Sequence, residues 1–128
     1  MSCVLRMSAA NLSIDGLVPY RVENGTEHFQ VSEAGFNDVK SQIVDAVTFL
    51  RANQEHLQNA MGQPGANGVL DFAVEWREVA VQCDGFPADL VREAGRLGLA
   101  LEFSHYPRAE VPRANAYDCH GLPLSTNE

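Results

Sequence analysis

Residues 70–77 constrain the fold of this chain more than any other stretch. Leu70, Phe72, Val74 and Trp76 alternate with Asp71, Ala73, Glu75 and Arg77. Side chains of an extended strand point to opposite faces in turn, so the pattern has a period of two. It predicts a strand with one face buried and one face wet, the wet face carrying charges of both signs. After Arg77 the apolar positions become Val79, Val81 and Cys83, which are odd-numbered where the earlier ones were even. That slip of phase predicts a β-bulge or a strand break near Arg77-Glu78.

Other elements follow from the same kind of reading. Cys3, Leu5 and Met7 share one face of a first strand, with Val4, Arg6 and Ser8 on the other. Residues 11–18 suggest one or two helical turns with Ser13 as a cap, although Gly16 weakens a helix there. Asn24-Gly25 lies between two short extended runs, 19–22 and 28–31. It is a hairpin signal because both central residues of a type I′ turn need positive φ. Phe36, Val39, Ile43, Val47, Leu50, Leu57 and Met61 then recur at steps of three and four. They predict one helix of about 25 residues and about 38 Å, capped by Ser32 or Asn37 and stopped by Gly62 and Pro64. Pro87 opens a second helix over 88–97, buried through Leu90, Val91, Ala94 and Leu97 and ended by Gly98. Residues 99–105 form the last strand, with Leu101, Phe103 and His105 on one face and Glu102, Ser104 and Tyr106 on the other. A parallel connection between the flanking strands would be right-handed.

This order predicts an α+β fold. It would be a two-layer sandwich, with a mostly antiparallel sheet and a long and a shorter helix on one face. The first six elements follow the ferredoxin-like order. Residues 1–107 form the expected single domain. Residues 108–128, with Pro112 and Pro123 and few apolar side chains, read as a C-terminal tail.

Composition narrows the function classes. The net charge is −8, from eight Arg and one Lys against seventeen acidic residues. No basic stripe exists, so a nucleic-acid partner lacks its electrostatic footprint. An acidic membrane surface would repel the chain, and no apolar run reaches the length of a span. A partner selected by charge would be basic. Arg6 interrupts the only apolar stretch near the N-terminus, which argues against a signal peptide. Cys3, Cys83 and Cys119 have neither metal-ligand nor redox spacing, so reduced thiols in a cytoplasmic protein are expected. No metal or cofactor is expected either.

The candidate site is the wet sheet face, where Arg6, Asp71, Glu75, Arg77, Glu102 and Ser104 can all project. A charged face can bind a polar ligand, and paired carboxylates can share acid–base work. It can equally be a solvated set of cross-strand ion pairs. Asp118-Cys119-His120-Gly121 places a nucleophile beside an imidazole and a carboxylate, but in a tail with little burial to tune a thiol. His105 at the end of the last strand reads as hydrogen-bonded packing. The three glycines of residues 62–68 precede a strand and lack a lysine, so they form a connection and not a phosphate loop.

The opening Ser2-Cys3-Val4-Leu5-Arg6-Met7-Ser8 resembles the start of a family of small, uncharacterised bacterial single-domain proteins, a domain of unknown function. Leu70-Asp71-Phe72, Val79-Ala80-Val81-Gln82, Phe86-Pro87 and the helix around residues 42–50 are similar to it too. The resemblance covers most of residues 2–107, and its motifs are structural, so it implies no activity. The expectation is a non-enzymatic cytoplasmic binding protein, an immunity-like inhibitor of a basic partner being one version. The alternative is a small-molecule site or small enzyme using Glu75 or Glu102 with Arg77 or Arg6. Homodimerisation is compatible with both.

Overall fold

A computed structural model of the chain describes residues 1–9, 14 and 16–107. The expected tail and its Asp118-Cys119-His120-Gly121 run lie outside the described residues. So does half of the expected helix over 11–18; Ile14 and residues 16–18, which are described, are not helical.

The protein is α+β, and its described residues form one open mixed sheet and three helices. The elements are β1 (Cys3–Ser8), β2 (Arg21–Glu23), β3 (Thr26–Ser32), α1 (Val39–Ala52), α2 (Gln54–Met61), β4 (Asn67–Trp76), α3 (Ala88–Leu97) and β5 (Ala100–Pro107). The sheet order is β2-β3-β1-β4-β5. The first three pairings are antiparallel, and β4 pairs with β5 in parallel through the α3 connection. The β2–β3 hairpin turns at Asn24 and Gly25, whose φ values of 52° and 78° are the positive pair that the dipeptide predicts.

One cluster of buried side chains joins the sheet to the helices. Leu5 and Met7 of β1, Phe29 of β3 and Leu70, Phe72 and Val74 of β4 meet Ala46 and Leu50 of α1, Leu57 of α2 and Leu90, Ala94 and Leu97 of α3. At one end Phe86 stacks on Phe103 with ring centres 4.3 Å apart, and both lie against Phe72.

Four expectations need correction. The single long helix is two. At Asn53 the backbone N–H and the side-chain Nδ2 both donate to the Phe49 carbonyl, at 3.1 and 2.9 Å, and α2 starts afresh from the Asn53 carbonyl. Neither Ser32 nor Asn37 caps α1: Asp38 does, accepting from the Ser41 amide. Ser32 is engaged elsewhere, donating to Asp45 at 2.6 Å. In α3, Val91 is exposed and Glu93 is buried in its place, while Pro87 is the N-cap residue and not in the first turn. β4 also starts earlier than expected, at Asn67, where it pairs with Ser8 of β1; at Gly68 a Cβ would sit 2.5 Å from Leu99 and 3.2 Å from Met61. The phase slip after Arg77 is a strand break: β4 ends at Trp76, and Glu78 takes a positive φ of 57°.

Candidate functional site

The open face of the sheet is set by strand parity. Cys3, Leu5 and Met7 are buried, so Val4, Arg6 and Ser8 take the other side of β1. Pairing brings Val4 opposite Asp71, and Asp71 opposite Glu102. Arg6 stands one diagonal step away, within reach of a long side chain.

Four of the six candidate residues converge there. Arg6 Nη1 donates to Asp71 Oδ2 at 2.8 Å and Nη2 donates to Glu102 Oε1 at 2.9 Å. Ser104 Oγ donates to Asp71 Oδ1 at 2.7 Å. Asp71 is thus engaged at both oxygens, and its side chain is only 17% exposed against 50% for Glu102. Burial works against the Arg6 charge, but the bonds and charges of Asp71 and Glu102 outweigh it and hold the guanidinium more firmly protonated than usual.

His28 belongs to the same face and was not among the residues singled out. It sits between Arg6 on β1 and Arg21 on β2 in the register of the sheet. Desolvation and the charges of Arg21 and Arg6 hold its imidazole below the ordinary value of 6.5, with Glu23 pulling the other way. The Asn24-Gly25 turn carries this signal, because a two-residue loop fixes which residues of β2 and β3 face each other.

Glu75 and Arg77 do not join the Arg6 cluster through any bond named above. The Glu75 backbone is held by the Phe36 carbonyl and by Gln82 Nε2. Arg77 lies past the end of β4, with Nη1 3.9 Å from Asp84. It belongs to a second cluster, in which Gln82 Nε2 donates to Asp84 at 2.9 Å and His105 Nε2 lies 3.3 Å from the same carboxylate oxygen. Burial opposes the Asp84 charge, but the bonds from Gln82 and His105 and the charge of Arg77 keep the carboxyl below the usual carboxylate range. His105 also meets the Trp76 ring edge-on. Arg77, Gln82 and Asp84 lie in a segment without regular structure, where period and parity give no signal.

Chemically, the Arg6 cluster is a charge-paired platform. Burial, followed by the charges of Asp71 and Asp45, pushes the Cys3 thiol far up, so it offers no thiolate. Among the described residues, no group of three or more His, Cys, Asp or Glu is placed to hold a metal ion. No described helix is long and apolar enough to cross a membrane. No family model, curated protein or solved structure matches the chain.

Proposed function

We propose that this protein is a non-enzymatic binding module that offers its polar sheet face to a basic protein partner. The supporting observation is the Arg6–Asp71–Ser104–Glu102 network. It fixes the central charges of the face without any partner present, and leaves Glu102 half exposed at its edge. A platform ordered in advance loses little side-chain entropy on binding, and the acidic balance of the chain steers basic molecules towards it. Neutralisation of a basic toxin, in the manner of an immunity protein, is one form of this role. Cytoplasmic placement and membership of the small bacterial family belong to the same reading. A two-layer sandwich belongs to the same reading, with β2-β3-β1-β4 supporting a ferredoxin-like strand order but no helix between β1 and β2 among the described residues. A small-molecule or enzymatic use of the face is less well supported, since Arg77 stands by Asp84 and not by Arg6.

The test is affinity capture from the lysate of the parent organism at low and high salt, followed by identification of what is held. A basic protein retained only at low salt, and lost with Glu102→Lys, is the expected result. Retention of nothing, or of a partner indifferent to Glu102→Lys, would refute the proposal.

A further inference from the structure

A groove of about 770 Å³ runs between α1 and the segment that leads into α3, away from the polar sheet face. Its floor is a stripe of α1 at helical spacing, Lys40, Val44, Val47 and Arg51, and its far wall is Phe86 and Pro87. Val44 is 63% exposed and so offers apolar surface to whatever lies in the groove. The wall is rigid, because Phe86 is stacked on Phe103. Lys40 and Arg51 stand about 16 Å apart along the helix axis, so apolar surface lies between two cations.

The charge of this groove runs against that of the chain. Lys40 is the single lysine of a protein with net charge −8, and no hydrogen bond or ion pair engages it among the described residues. At the other end Arg51 Nε contacts Glu93 at 3.2 Å, but Arg96 contacts the same carboxylate oxygen at 3.6 Å. Two guanidinium groups therefore share one carboxylate. The acidic group in the wall, Asp89, accepts the Leu90 amide at 2.8 Å. Lys40, Arg51 and Arg96 set against Glu93 and Asp89 leave one positive charge in excess, beside an apolar channel.

We infer that this groove binds a small amphipathic carboxylate, an aliphatic chain lying on Val44, Val47 and Phe86 with its head group on Lys40. The volume is that of a small-molecule site, and the Lys40 ammonium supplies the positive charge that an alkyl carboxylate pairs with. The inference does not depend on the sheet-face proposal, and the two use different residues.

Titration of the full chain with decanoate, kept below its micelle concentration and followed by calorimetry, tests it. Decanol and decyltrimethylammonium serve as comparison probes. Decanoate should bind saturably and more tightly than decanol, and the ammonium should not bind. Lys40→Glu should weaken decanoate by about tenfold or more, the loss of one charge-assisted contact. Val44→Glu should abolish it. Both positions are exposed, and thermal unfolding of the free variants shows whether they fold. Equal binding of the ammonium, indifference to either substitution, or no saturable decanoate binding overturns the inference. So does self-association of the chain through Val44, which would make a second copy the occupant.

Discussion

Gln42 holds three parts of the fold with one side-chain amide. It is fully buried on α1, and its Nε2 donates to the Gly35 carbonyl at 3.0 Å and the Ala73 carbonyl at 2.9 Å. Its Oε1 is buried without a partner among the described residues. Gln42→Met keeps the length, loses two bonds and also removes the orphaned oxygen. It should cost about 1–2 kcal/mol in urea unfolding. Gln42→Glu sets a carboxylate against two carbonyl oxygens and should cost about 3 kcal/mol or more. Equal costs for the two would mean that water reaches the site. The Arg6 network can be apportioned in the same way. A double-mutant cycle on Arg6 and Asp71 should give a coupling of about 1–2 kcal/mol, because Asp71 is mostly covered. The cycle on Arg6 and Glu102 should give about 0.5 kcal/mol or less, because Glu102 is half exposed.

At the level of elements, glycine has opposite meanings at two neighbouring positions of α3. Gly95 lies inside the helix, and a Cβ there would meet nothing within 4 Å. Gly95→Ala should stabilise the protein by about 0.5–1 kcal/mol through helix propensity and a less free unfolded chain. Gly98 ends the helix at a φ of 73°, where a Cβ would only touch Met61 Cε at 3.8 Å. Gly98→Ala should therefore cost about 1 kcal/mol from backbone conformation alone. Guanidinium unfolding of the two variants reads both signs, and a shared sign would contradict the assignment. The end of α3 was legible in the sequence because a left-handed cap favours glycine. The Asn24-Gly25 turn was legible for the same reason. The break at Asn53 was not. The apolar stripe is interrupted at Gln54 but resumes in phase at Leu57, so periodicity marks a weak point without marking a break. What divides the helices is the backbone of Asn53, at φ −114° and ψ 20°, held there as its side chain adds a second bond to the Phe49 carbonyl, and no periodic pattern carries that.

Across the whole molecule, parity carried the candidate site further than motif did. Strand alternation placed Arg6, Asp71, Glu102 and Ser104 on one face, and the sheet order then made them neighbours. Alternation could not follow Arg77 past the end of β4, nor show that Asp84 and His105 meet. The two charge clusters nevertheless have a joint consequence for stability. His28 has a folded pKa below its ordinary 6.5, and Asp84 has one below its ordinary 3.8. As pH falls through 6.5, the unfolded chain takes a proton at residue 28 before the folded one does. Stability therefore declines with acid, and this component levels off once the folded imidazole also protonates. The Asp84 contribution is fully present above its unfolded value and is lost as pH falls from about 5 through the folded value. Both effects have the same sign, so unfolding free energy should decrease in two steps between neutral pH and strong acid. His28→Gln should flatten the upper step and leave the lower one. Asp84→Asn should lower stability at neutral pH and flatten the lower step, since it removes the carboxylate that Arg77, Gln82 and His105 share. Urea unfolding of the three proteins across that range would separate the steps. An upper step unchanged by His28→Gln would show that the Arg21–His28–Arg6 row does not disfavour the imidazolium. The face would then be less positive on its β2 side than its side chains imply, and more open to a basic partner along its whole width.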